Sequence, residues 1–181
     1  MTRRPKQLRQ LEIEMDMELE RQCRLIYASA AIALKRACHW EKQGILKLMD
    51  MTEEVWKECA GTNLRSMVQM LDEETGVEIQ NGDGKSWRDL AFLNAQLHVG
   101  RMDTAKWMYM RIQQKKWIAP QVTACVLLAL HRKCGFDADR IAEIYGRILK
   151  VEQENLFDEG LAMEQCRRET LVNIDDKVRS M

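Results

Sequence analysis

At 181 residues, with 28 basic and 28 acidic side chains, the chain is long enough for one substantial core and carries no net charge to draw the whole molecule onto nucleic acid or an anionic membrane. Any charged binding surface must be a local patch. Two prolines and nine glycines, against twelve methionines and abundant Leu, Glu, Lys, Arg and Gln, favour helix nearly everywhere. No apolar run approaches the roughly 20 residues that span a bilayer, and the start, Met1-Thr2-Arg3-Arg4-Pro5, has no apolar signal core behind its charges, so a cytoplasmic location is expected. The six cysteines, Cys23, Cys38, Cys59, Cys125, Cys134 and Cys166, are widely spaced within helical patterns and are expected to be reduced and buried.

Arg3, Arg4, Lys6 and Arg9 form a basic N-terminal arm over residues 1–9, with Pro5 placed where a helix can begin. A long helix to about Cys38 should follow. Leu8, Leu11, Met15, Leu19 and Ile26 make a stripe along one face, and from Ile26 to Leu34 the density of Ala and aliphatic residues predicts burial on several sides. After a turn at His39-Trp40, a second helix should run from about Glu41 to Ala60, and Gly61 breaks it. Thr62 or Asn63 can cap a third helix through Leu64, Met67, Val68 and Leu71. Between Gly76 and Ser86, Val77 and Ile79 alternate with polar residues before Asn81-Gly82-Asp83-Gly84. That segment is either a short hairpin or an ordered loop, and it is the one place where a strand is plausible. A central helix pair follows over 86–118, with Ser86 and Asp103 as caps. Helices are then expected from about Pro120 to Lys133, from Asp137 to about Leu156, and, after a break at Asp158-Glu159-Gly160, to about Asn173.

The second set repeats the first. A shift that carries Ala28 onto Ala124 also carries Ala33, Leu34, Arg36, Cys38 and Ile45 onto Ala129, Leu130, Arg132, Cys134 and Ile141, with Trp40 on Phe136. Val55, Glu58, Gln69 and Glu73 fall on Val151, Glu154, Gln165 and Glu169; one deletion later, Thr75, Val77 and Ile79 fall on Thr170, Val172 and Ile174. The expected fold is therefore all-α: one compact bundle of about eight helices over 1–181, with an internal duplication. Its two helix-turn-helix-helix copies, 28–80 and 120–175, would be bridged by the central pair.

Motifs for chemistry are sparse. His131 and Cys134 share a helix face, with Cys125 upstream, but no CxxC accompanies them, and core cysteines beside a surface histidine are the better reading. Cys38-His39 are adjacent and point apart on a helix, and the repeat puts Gly135 in place of His39, so turn chemistry is preferred over a nucleophile and base. Asn81 to Ser86 ends in Gly-Lys-Ser but lacks the first glycine of a phosphate loop. No cofactor, metal or catalytic residue is expected.

Binding is left. Arg111, Lys115 and Lys116, then Arg132, Lys133 and Arg140, add basic clusters to the N-terminal arm, and helix-turn-helix is the plan of DNA-reading modules. Against sequence reading, the second helix of each copy is acidic, with Asp50, Glu53, Glu54 and Glu58 in one and Glu143, Glu152 and Glu154 in the other. Five tryptophans offer anchors of the type that dominate protein interfaces. Most should be core, and Trp117, among lysines at a helix end, is the candidate for exposure.

The run Ala129-Leu130-x-x-x-Cys134-Gly135-Phe136-x-x-x-Arg140-Ile141 resembles a pattern in small all-helical proteins of phages and mobile elements of Gram-positive gut bacteria. In length, helicity and charge-rich surface the chain also resembles anti-CRISPR proteins directed at type II-A effectors. That resemblance implies a non-enzymatic inhibitor that binds an RNA-guided nuclease, or its guide-RNA complex, and blocks target DNA binding or cleavage, with contact to double-stranded DNA as an added feature. The alternative is a small helix-turn-helix transcriptional regulator. Candidate contact residues are Arg3, Arg4, Lys6, Arg9, Lys115, Lys116, Trp117, Arg132, Lys133 and Arg140.

Overall fold

The computed structural model describes residues 6–60, 67–88 and 104–178. Its longest element is the one the stripe of leucines predicts. Helix α1 (Lys6–Cys38) runs unbroken for 33 residues, about 50 Å at the usual rise. Every residue from Leu25 to Leu34 on it is buried, because Ala28, Ala30, Ala31 and Ala33 allow neighbouring helices close on several sides. Helices α2 (Lys42–Ala60), α3 (Met67–Thr75), α4 (Thr104–Lys115), α5 (Ile118–Cys134), α6 (Ala138–Glu154), α7 (Glu159–Thr170) and α8 (Asp175–Val178) complete the described elements. The fold is all-α, as expected. Thr62 and Asn63, the expected caps of α3, lie outside the described residues, as do Asp103 and most of the expected first central helix, of which only Ser86, Trp87 and Arg88 are described.

Several boundaries differ from the sequence expectation for local reasons. α5 begins two residues before Pro120, whose missing N–H falls in the first turn where no helical partner exists. α6 stops at Glu154, and Asp158 caps α7 by accepting from the Leu161 N–H at 2.9 Å, so Glu159 and Gly160 belong to a helix and not to the break. α7 ends at Thr170 because Leu171 turns left-handed, φ 60°. No strand occurs among the described residues. Residues 76–86 are a loop, and Val77 and Ile79 alternate because they dip into the core one after the other. The loop is closed by Asn81, whose buried side-chain carbonyl accepts from the N–H groups of Asp83 and Lys85, both at 3.0 Å.

The way the halves meet was not legible in the periodicity. α1 packs mainly on α6 and α7, whereas α5 packs mainly on α2 and α3, and α1 and α5 lie against each other. Each half thus lays its first helix into the other half's helix pair. Corresponding residues make corresponding bonds. The α1 turn is closed by His39 N–H to Lys35 C=O at 3.1 Å and Trp40 N–H to Leu34 C=O at 3.4 Å; the α5 turn is closed by Gly135 N–H to His131 C=O and Phe136 N–H to Leu130 C=O, both at 3.2 Å. Thr75 donates to Leu71 C=O and accepts from Val77 N–H, and Thr170 repeats both bonds with Cys166 and Val172. The turns meet where Trp40 and Phe136, equivalent in sequence, pack edge to face with centroids 6.2 Å apart.

Ile26, Ile32, Leu34, Leu127, Leu128 and Leu130 are fully buried around this crossing, with Ile45 and Leu71 from one half and Ile141, Ile144, Ile148 and Ile174 from the other. Each such side chain contributes about 1.5–3 kcal/mol by leaving water. Burial is therefore concentrated between the halves, and neither half has its own core.

Candidate functional surface

The basic residues expected to touch a partner are mostly engaged inside the fold. Arg132 and Arg36, the equivalent arginines near the ends of α5 and α1, each reach across to carboxylates of the other half. Arg36 grips Glu169 with two bonds, at 3.0 and 2.8 Å, and Glu154 with a third at 2.8 Å. Arg132 forks onto Glu74, and its neighbour Lys133 pairs with Glu58 at 2.8 Å and Glu54 at 3.6 Å. These hydrogen bonds hold Glu169, Glu74 and Glu58 below the ordinary carboxylate range. Arg140 spans Glu143 and the end of α1, donating to Ala37 C=O at 3.3 Å and Cys38 Sγ at 3.1 Å. These residues clamp one half to the other, a role hidden in the sequence because their partners lie far along the chain.

Lys115 pairs with Glu14 of α1 at 3.5 Å, and Lys116 with Asp83 of the Asn81 loop at 2.6 Å. Trp117 contradicts the expectation of exposure: it is buried at 5%. The one-turn joint between α4 and α5 sends Lys115 and Lys116 outward and Trp117 into the core, so its charged neighbours mislead. Lys6 and Arg9 are exposed at the start of α1, and Arg3 and Arg4 lie outside the described residues. The candidates do not form one surface. Lys115 sits beside Glu14 and Arg140 beside Ala37, and that length of α1 spans about 35 Å.

Five of the six thiols are poor nucleophiles. Burial pushes Cys23 up to about 11 and raises Cys59, Cys125, Cys134 and Cys166 as well. Cys125 donates to Thr52 C=O at 3.3 Å, and His131 Nδ1 lies 2.7 Å from Phe136 C=O at the turn. The two point to different neighbours, and no group of potential metal ligands occurs among the described residues.

Sequence reasoning missed a face along α1. A concavity of about 370 Å³ opens between α1, α5, α6, the Asn81 loop and the turn after α6. Its walls include Leu25, Ile79, Pro120, Tyr145, Leu149 and Phe157, with Arg21, Gln22, Thr123 and Glu152 as polar lining. Glu152 is 8% exposed and pushed up to about 7 by burial; among the described residues no side chain hydrogen-bonds or ion-pairs with its carboxyl. The corresponding place in the first half holds a smaller concavity of about 230 Å³, lined by Tyr27, Glu53 and Trp56. Tyr27 stands where the second half has Thr123, and Trp56 where it has Glu152.

Phe157 is held at the mouth by an unusual turn. Leu156 and Phe157 both adopt left-handed φ, 54° and 56°, at a cost of about 1–3 kcal/mol each. Phe157 N–H to Glu152 C=O at 2.8 Å and Asn155 Nδ2 to Gln165 Oε1 at 2.6 Å fix it. The result leaves Phe157 54% and Leu156 78% exposed. A second concavity of about 350 Å³, lined by Glu14, Met17, Arg24, Lys115 and Glu159, shares Arg21 with the first. Met17 and Ile13 on α1, Leu149 on α6, and Leu156, Phe157 and Leu161 around the start of α7 are all exposed. Arg21 lines both concavities, between Met17 in one and Leu149 and Phe157 in the other.

Described helices include none long and apolar enough to cross a membrane. No protein-family model, curated protein or solved structure matches the chain.

Proposed function

We propose that this chain is a non-enzymatic binding protein of the phage-inhibitor type, which docks a helical face on an RNA-guided defence nuclease, or its guide-RNA complex, and blocks target DNA binding or cleavage. The observation that carries the binding role is the set of exposed apolar side chains, Met17 in one concavity and Leu149 and Phe157 in the other, with Leu156 exposed beside Phe157. Large exposed apolar side chains grouped around a depression are typical of a surface that is covered in use. The nuclease as target comes from the resemblance in length, helicity and charge-rich surface to anti-CRISPR proteins directed at type II-A effectors.

A helix-turn-helix DNA reader is the alternative, and two features weigh against it. The turns of the two units pack on each other through Trp40 and Phe136, and Arg132 and Lys133 are already paired with Glu74 and Glu58. Entering a groove would require those pairs to break for phosphate. The test mixes the full chain with a guide-loaded type II-A nuclease. Co-elution and loss of target cleavage at equimolar protein support the proposal; separate elution with full cleavage at tenfold excess refutes it. Salt-dependent, sequence-preferring duplex binding that is lost on Arg132→Glu would favour the regulator.

A further inference from the structure

We propose that the concavity between α1, α5, α6 and the turn after α6 is a binding site for a primary alkylammonium group, with Glu152 as its counter-charge and Tyr145 and Phe157 as its aromatic walls. The group is the head of a lysine side chain or of a free aliphatic amine. The site shares Leu149 and Phe157 with the proposed docking surface, but it rests on the pocket's own chemistry and not on the nuclease as target.

The comparison between halves shows that the scaffold does not need this carboxylate. At the corresponding positions Trp56 and Tyr27, in place of Glu152 and Thr123, line a smaller concavity of about 230 Å³. Replacing a filler by an acid in a pocket 8% exposed, with no partner among the described residues, is unfavourable for folding on its own. A ligand cation removes that penalty. An anion would be repelled by Glu152, and a neutral ligand would leave its charge uncompensated.

The remaining lining selects among cations. An ammonium has three N–H donors and needs three acceptors. Glu152 supplies one, the Thr123 hydroxyl a second, and the Gln22 carbonyl a third, because the Gln22 amide nitrogen is already committed to Glu18 at 2.8 Å. Leu25, Leu149 and Ile79 suit an alkyl stem, and the faces of Tyr145 and Phe157 attract a cation. At about 370 Å³ the concavity is at the small end for ligand sites, which fits a side-chain-sized group.

Binding depends on the ionisation of Glu152. The charged or titratable groups that line the concavity with it are Arg21 from α1, whose guanidinium is held by Glu18 at 2.8 Å, and the Tyr145 phenol from its own helix; α5 contributes Ala119, Pro120 and Thr123, the loop Ile79 to Gly82, and the turn Phe157, none of them titratable. Since the carboxyl ionises at about 7, affinity for the cation should rise between pH 6 and pH 8.

The test is calorimetric titration of the full chain with n-butylammonium, with n-butanol as the neutral isostere, and with Nα-acetyl-lysine methylamide. The variants are Glu152→Gln, nearly isosteric, and Thr123→Tyr, which copies Tyr27 into the second half. Folding is checked by circular dichroism. Wild type is expected to bind n-butylammonium saturably, at least tenfold more tightly than n-butanol and tenfold more tightly at pH 8 than Glu152→Gln does. Thr123→Tyr should bind neither. Equal binding of the lysine derivative assigns the site to a peptide side chain; exclusion of it while n-butylammonium binds assigns a free amine. Absence of saturable n-butylammonium binding to folded wild type, or equal binding by folded Glu152→Gln, overturns the proposal.

Discussion

Glu152→Gln should stabilise the free protein at alkaline pH and leave it unchanged in acid. The carboxyl ionises near 4.5 in the unfolded chain and at about 7 in the fold, where burial penalises its charged form. Because the folded value is the higher one, the neutral form favours folding. No penalty exists well below 4.5, the penalty grows between 4.5 and about 7, and it is complete above that, at about 3 kcal/mol. Gln keeps the shape and cannot ionise. Urea unfolding of both proteins should therefore give a difference under about 0.5 kcal/mol at pH 4.5 and about 3 kcal/mol in favour of Gln at pH 8. A difference that does not change with pH, or a variant less stable than wild type at pH 8, would show that the carboxylate is solvated or paired and would refute the reasoning.

The two turns give a prediction of opposite signs. Gly135 has φ 73° and its equivalent His39 φ 56°, so Gly135→Ala should cost about 1 kcal/mol, while His39→Gly should be neutral or stabilising by up to about 1 kcal/mol. Thermal unfolding of both variants checks this, and a loss in both would mean that His39 makes a compensating contact. A double-mutant cycle between Arg132→Met and Glu74→Gln should give a coupling of about 1 kcal/mol that shrinks in high salt. Zero coupling at low salt would remove this pair as a clamp between the halves.

The sequence carried the elements well because their causes are local. The stripe along α1, the His39-Trp40 and Gly135-Phe136 turns and the Ser86 cap each depend on residues a few positions apart; Ser86 Oγ accepts from the Arg88 N–H at 3.3 Å. The pairing of halves depends on contacts across the whole chain. Periodicity states that Leu34 and Leu130 are buried but not that α1 lies on α6 and α7. For the same reason Arg132, Lys133 and Arg140 read as basic patches until Glu74, Glu58 and the end of α1 are found beside them. Trp117 misled because a one-turn joint reverses the direction of neighbouring side chains. In the sequence Glu152 stands among the acids of its helix, and only its equivalent, Trp56, signals a position that faces inward.

The docking role of the apolar face is tested most directly by inhibition of a guide-loaded type II-A nuclease with a Met17→Glu/Phe157→Glu double variant beside wild type and Lys116→Glu. With helicity unchanged in all three, the account predicts that the double variant neither co-elutes with the nuclease nor slows cleavage, while Lys116→Glu does both as wild type does. Full inhibition by the double variant, or its loss in Lys116→Glu alone, would contradict it.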